Sequence, residues 1–388
     1  MTFSCDPLDF IGRLTLMLLS LGCSLILQSE STSADENPPM DSTDRVTLKI
    51  KEIRVEKVRA LTGPDSPTEM KSLDICGTDL GTMTEVGNRI FFAFGDTFGY
   101  EGDICRGVGG PNWRSNVFAS TTEHHPVGVV LEDWRRGPDG KAIAVVEGAH
   151  QPAFTGKDGE QTKIPTAMVS VGSRIYLHYM SVHGFSSAGG VWDCNDSRFV
   201  YSDDLGKTWQ PSDLKFGKSD SNFNMLALTS EAGRGNEERA YIYAMGTPCG
   251  RFGSVRLARV RKENVLNVEA WEYFGSDRRW TADPGAAIEI IPAPVGEGSI
   301  VWNPGIRRWM YTYLNEKTAS IELRESECPW GEWSTPHVVA KAADYPQLYG
   351  AFMTPSFLQD NGQTLYFVMS MYGAYNTFVM KATLVFFP

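Results

Sequence analysis

GTDLGTMTEVGNRIFFAFGDTF, Gly77 to Phe98, reads as one β-hairpin folded about Gly87-Asn88. A short run precedes the turn, and an unbroken apolar run from Ile90 follows it. Four more copies of this pattern lie downstream. Their apolar second strands are IYLHY from Ile175, YIYAM from Tyr241, WMYTY from Trp309 and LYFVM from Leu365. Each follows a turn signal: Gly172-Ser173, Arg234-Gly235-Asn236, Asn303-Pro304-Gly305 and Asp360-Asn361-Gly362. A recurrent turn-bounded hairpin with few helix signals predicts an all-β fold, a β-propeller of five blades. Val46 to Val58 alternates and is expected to close the ring or cover an edge, because an open ring leaves a bare strand edge.

Only the first copy carries an Asp at both ends. Folding it about its turn sets Asp79 opposite Asp96, where facing Cβ atoms lie roughly 5 Å apart. Like charges that close raise the free energy unless the site uses them, and glycoside hydrolysis uses a pair of carboxyl groups. Asp79 lies between Gly77 and Gly81, small neighbours that let a ligand approach the backbone. The competing roles are local: Asp79 as a strand-start hydrogen-bonder, Asp96 as a turn former in Gly-Asp-Thr.

The net charge of −11 falls largely on residues 1–44, where seven acids face Arg13 alone. The body therefore carries only about −5, too little to argue for a charged partner, and without a basic stripe no nucleic-acid partner is expected. With 10 Trp, 14 Tyr, 20 Phe, 38 Gly and 21 Pro, the composition suits a β-rich protein with tight turns. Residues 1–34 read as a signal peptide around the apolar stretch Leu14 to Leu27, residues 35–44 as a disordered linker, and 45–388 as one catalytic propeller. Secretion is the expectation, with no membrane span in the mature chain. Leu19 to Cys23 resembles a lipoprotein box, although the apolar run continues past Cys23 and argues against an anchor there. Removal of the leader leaves five cysteines, an odd number that predicts one without a partner; Cys76 and Cys105 flank the first hairpin and could brace it. Asn195-Asp196-Ser197 is a glycosylation sequon. No cysteine or histidine spacing suggests a metal, and no cofactor is expected.

YSDDLGKTW from Tyr201 fits an Asp-box turn, in which Asp204 is structural. Folding every hairpin about its turn gathers the opposite ends around the axis, and that mouth collects the candidate residues. Glu297, in Gly296-Glu297-Gly298, is a third carboxylate or else a solvated loop acid. Arg114 and Asn116 could hold a carboxylate or sugar hydroxyls, or Arg114 could pair with Asp79 or Asp96. Arg251 has the same two readings. His183 and Asn224 line the rim, and Trp192 and Tyr349 offer stacking faces.

Together LTGPDSPTEM from Leu61, GTDLGTM from Gly77, FAFGDTFG from Phe92, WRSNVFA from Trp113, HYMSVHG from His178, the Gly250-Arg251 step, GEGSIVWN from Gly296 and YGAFMTPSF from Tyr349 resemble the endo-D-arabinanase family of glycoside hydrolases, formerly catalogued as a domain of unknown function. The resemblance covers about residues 45–388. It implies a five-bladed propeller that cleaves internal α-linkages between D-arabinofuranose units, as in arabinogalactan and lipoarabinomannan, with catalytic carboxylates at Asp79 and Asp96 and a further acid at Glu297. The chain departs from the family pattern at Asp193-Cys194 and Met353-Thr354. Two rivals remain: a sialidase-like or other furanosidase propeller, the former needing several converging Arg residues, and a non-catalytic glycan-binding propeller.

Overall fold

In the computed structural model, residues 50–217, 221–229 and 238–387 are described. The expected signal peptide, linker and Cys23 anchor, Val46 and Leu48 of the closing strand, and the turn at Arg234-Gly235-Asn236 lie outside them. The chain enters as β1 (Ile50–Ala60). Blade I is β2 (Gly77–Val86), β3 (Arg89–Phe98), β4 (Val117–Thr121) and β5 (Asp133–Trp134). Blade II is β6 (Thr162–Val171), β7 (Arg174–Phe185), β8 (Trp192–Ser202) and β9 (Gln210–Phe216). Blade III holds β10 (Met225–Thr229), β11 (Tyr241–Thr247), β12 (Gly253–Arg261), β13 (Glu272–Phe274), β14 (Trp280–Thr281) and β15 (Glu289–Val295), the last paired with β12. Blade IV is β16 (Gly298–Asn303), β17 (Arg308–Asn315), β18 (Ser320–Ser326) and β19 (His337–Lys341). Blade V holds β20 (Leu348–Phe352), β21 (Leu358–Gln359), β22 (Thr364–Met371) and β23 (Asn376–Phe386).

The five apolar runs are the second strands β3, β7, β11, β17 and β22. Each blade is sandwiched between two others, so these strands are buried on both faces and read as continuous apolar runs instead of alternating ones. In β3, Phe91 and Ala93 pack with Met168 and Leu177 of blade II. Phe92 and Phe94 point the other way, into the core shared with Val368 and Met380 of blade V. The innermost strands β2, β6, β10, β16 and β20 touch in that cyclic order, and β20 touches β2, which closes the ring. The seam is covalently distant: β1 pairs antiparallel with β23, Ile53 opposite Leu384 and Val55 opposite Ala382, so blade V is completed by the amino-terminal strand.

Two disulfides staple the end of the propeller remote from the hairpin turns. Cys76 bonds Cys105 across the first hairpin, as its flanking position suggested, and Cys194 bonds Cys249 between blades II and III. Cys328 is disulfide-bonded as well, to a partner outside the described residues. In the sequon, the half-buried Asn195 donates to the Gly159 carbonyl at 2.9 Å, and Ser197 is buried. At the Ser202–Trp209 turn, Asp204 accepts from the Thr208 amide at 2.8 Å and hydroxyl at 2.7 Å, Gly206 takes φ +84°, and the Trp209 indole donates to the Gly206 carbonyl at 3.0 Å. These bonds hold the Asp204 carboxyl down to about 2.

Candidate functional site

The first hairpin pairs with the anticipated register at both ends, Val86 opposite Arg89 and Thr78 opposite Thr97. Between them the ladder slips: Leu80 pairs with Phe94, leaving Asp79 across from Gly95-Asp96 in a bulge. Leu80 at φ 62° and Gly81 at φ 103° make the kink. The Leu80 amide, pulled out of the ladder, accepts a new partner in blade V by donating to Ser370 Oγ at 2.8 Å. Asp79 folds over Gly95, where any Cβ would collide with its Oδ1. The two carboxyl groups thus share the hairpin end as expected, offset by a bulge.

Their surroundings differ. Asp96 is buried, and its Oδ1 accepts from Trp113 Nε1 at 2.7 Å and from Thr162 Oγ1 at 2.5 Å. Its Oδ2 bonds nothing in the described protein and is not sealed off. Burial pushes Asp96 up to about 8; the two donors oppose the rise, and the charges of Asp79 and Glu147 add to it. Asp79 is partly exposed, accepts from the Tyr349 hydroxyl at Oδ2 (2.7 Å), and has its Oδ1 buried without a partner. Burial raises it to about 7, opposed by Tyr349, raised further by Glu297 and lowered by Arg251 and Tyr375. Tyr349 and Tyr375 are themselves held well above the usual phenol range by burial and by the Asp79 charge.

Behind Asp79 a second cluster spans blades II to V. Arg251 Nε lies 3.0 Å from both Glu297 carboxylate oxygens, and its Nη1 donates to Glu316 Oε1 at 2.9 Å. The guanidinium lies 5.0 Å from the Tyr349 ring centroid and 5.7 Å from that of Trp192. The backbone supports this placement: the Arg251 amide donates to Gly190 O at 2.9 Å, and the Cys194–Cys249 bond ties the Trp192 strand to the same loop. The departure at Asp193-Cys194 is this staple. Glu297 also lines a small cavity with Leu80, Ile164, Met180, Met225, Met245 and Phe352. At the other departure, Met353 and Thr354 bond Ser299 and Glu85.

The structure therefore brings together Asp79, Asp96, Glu297, Arg251, Tyr349 and Trp192. It gives four other candidates different tasks. The Arg114 guanidinium donates to the Asp74 carbonyl at 2.7 Å and lies 3.9 Å from the Asp74 carboxylate, so its ion pair is with neither Asp79 nor Asp96. The Asn116 amide accepts from Val145 and Val146 and donates to Val146 and Lys163 carbonyls, which leaves it clamping backbone instead of sugar hydroxyls. Asn224 donates to Gly217 O, and His183 Nδ1 bonds Gly159 O at the rim. Sequence reasoning missed Trp113, Thr162 and Tyr375 as site residues. Trp113 stood beside Arg114 in a run already singled out, and its indole N–H was the signal for a buried acceptor nearby. Among the described residues no group of three His, Cys, Asp or Glu side chains is placed to hold a metal.

No curated protein matches the chain. Among solved structures, a provisionally assigned hydrolase from Bacteroides ovatus ATCC 8483 is similar at 14% identity and TM-score 0.56, over 90% of this chain and 97% of that one. An exo-beta-1,3-galactanase from Phanerochaete chrysosporium (10% identity, TM-score 0.48, 86% of this chain and 67% of that one) and a family 117 glycoside hydrolase from Zobellia galactanivorans (10%, 0.46, 86% and 90%) are more distant. At such identities the likeness shows the fold alone. A family model matches residues 65–381, and the chain belongs to that family, the domain of unknown function DUF4185.

Proposed function

We propose that the protein is a secreted glycoside hydrolase that cleaves internal α-D-arabinofuranosidic linkages of arabinan-type cell-wall polysaccharide. The observation that carries the hydrolase reading is the pair of carboxyl groups at the axial mouth, both raised toward neutrality yet held by different partners. Asp96 is the general acid. Its Oδ1 is saturated by two donors, so the proton sits on Oδ2, the oxygen left open to a substrate. It passes to the glycosidic oxygen as the C1–O bond breaks. Asp79, which Tyr349 and Arg251 favour in its ionised form, takes a proton from the water whose oxygen attacks C1. The bond is exchanged for the elements of water, and both carboxyl groups reset through solvent.

Glu297 acts through Arg251: the pair sets the field at Asp79 and leaves the guanidinium to hold sugar hydroxyls beside Trp192 and Tyr349. The offset bulge leaves room for the water and favours inversion of the anomeric centre. Support for arabinan in particular comes from the ordered motif runs from Leu61 to Phe357, and support for secretion from the two disulfides and the apolar leader sequence.

The test of substrate class is incubation of the protein, with chelator present, with soluble D-arabinan, L-arabinan, xylan and sialosides, with products read by chromatography and the first-formed anomer by NMR. Short arabino-oligosaccharides from D-arabinan alone are expected, with inverted configuration. Products from another polymer alone would move the substrate assignment, and loss of turnover in chelator would remove the metal-free mechanism.

A further inference from the structure

Five large aromatic side chains are exposed among the described residues: Phe154, Phe185, Phe252, Tyr372 and Phe387. A lone exposed ring is ordinary, but four of these five stand at one end of the propeller. Phe185 ends β7, at the end remote from its turn, and Phe154 packs edge-on against His183 of the same strand at 5.5 Å. Phe252 lies in the β11–β12 connection next to Arg251, and Tyr372 in the β22–β23 connection with its ring edge-on to Tyr375 at 5.9 Å. The cyclic order of the blades places blade I, with Asp79 and Asp96, between blade V, which carries Tyr372, and blade II, which carries Phe185. The rings thus flank the carboxyl pair on both sides.

A second feature points to a ligand. The Arg251 guanidinium lies 5.7 Å from the centroid of the buried Trp192 ring, and the exposed Phe185 packs against that same ring at 5.7 Å. A charged, multidentate donor next to an exposed aromatic face is what a polyhydroxylated ring needs: C–H faces on the ring, hydroxyls on the donor.

We infer that the mouth is an open cleft crossed by several consecutive sugar units of a polysaccharide, with Tyr372 a platform on one side of the cleaved bond and Phe185 and Phe252 platforms on the other. This rests on the glycosidase reading and deepens it, because platforms on both sides select an internal bond.

The experiment uses the full protein carrying Asp96→Asn, to bind without turnover, with Tyr372→Ala or Phe252→Ala added, in affinity electrophoresis through gels of soluble D-arabinan, xylan or galactan. Each ring removed is expected to weaken retardation by about tenfold, which corresponds to roughly 1.4 kcal/mol, and Phe252→Tyr is expected to restore it. In the protein with Asp96 intact, the same substitutions raise KM for polymer more than they lower kcat. If Asp96-intact protein cleaves no arabinan but a polymer retards the Asp96→Asn protein and not its ring variants, the proposed reaction fails and the cleft stands. Equal retardation with and without the rings, or no retardation by any polymer, overturns the cleft.

Discussion

Replacing Asp96 with Asn should make the fold less sensitive to alkali. The native environment raises this carboxyl from 3.8 to about 8, chiefly by burial. A folded-state value above the unfolded one means that the native protein holds a proton the unfolded chain releases. The associated stability is fully present below the unfolded value and is lost as pH rises through the folded one. Each unit in that window is worth ~1.4 kcal/mol, so wild type forfeits on the order of 5 kcal/mol between acid and alkaline conditions through this group. Asn keeps the geometry: its carbonyl oxygen can still accept from Trp113 and Thr162, and its NH2 occupies the unsealed Oδ2 position. Urea unfolding at about pH 3.5 and about pH 9 compares the two proteins below the unfolded value, where Asp96 is neutral in both states, and above the folded one, where it is forced to ionise. The variant should match wild type in acid and exceed it by several kcal/mol in alkali. Parallel stability curves across that range would refute the claim that Asp96 is buried in its neutral form.

Tyr349→Phe removes the hydroxyl that donates to Asp79 at 2.7 Å; a bond to a charged group is worth roughly 1.5–3 kcal/mol, so the Asp79 pKa should rise by roughly 1–2 units. The acid limb of the kcat/KM profile, set in wild type by Asp79 at about 7, then reaches or passes the alkaline limb at about 8, so the active window closes and peak activity falls; an unmoved acid limb would count against Asp79 as the base. Gly95→Ala places a methyl group against Asp79 Oδ1 and should abolish activity by displacing the base, detectable as lost turnover in a protein that still shows the wild-type circular dichroism. Asp204→Ala removes the acceptor of the Thr208 amide and hydroxyl; stability should fall by about 1 kcal/mol with product formation retained, which thermal unfolding and a turnover assay read separately.

The hairpins were legible because each second strand is buried on both faces and announces itself as an apolar run after a turn. The same register argument brought Asp79 and Asp96 together, but it could not foresee the bulge, since Leu80 at positive φ follows from the Ser370 contact across the seam between blades I and V. Polar residues in and next to strands were the hard class. Arg114 and Asn116 look like ligands in one dimension, and only tertiary packing reveals that Asp74 and the Val146 backbone consume them. Trp113 and Thr162 failed the opposite way: neither was singled out as a site residue, yet their N–H and O–H point at Asp96. The Arg251–Glu297 pair joins residues from separate blades, so each was visible alone and their union was not. The Cys194–Cys249 staple was hidden for the same reason.

The central claim is that Asp79 and Asp96 together hydrolyse a glycosidic bond. The direct test is a side-by-side time course of D-arabinan cleavage by wild type, Asp79→Asn and Asp96→Asn, with each protein's folding verified. The account predicts a ladder of short arabino-oligosaccharides from wild type and a loss of at least about a hundredfold in rate from each variant. Cleavage at the wild-type rate by either folded variant would contradict it.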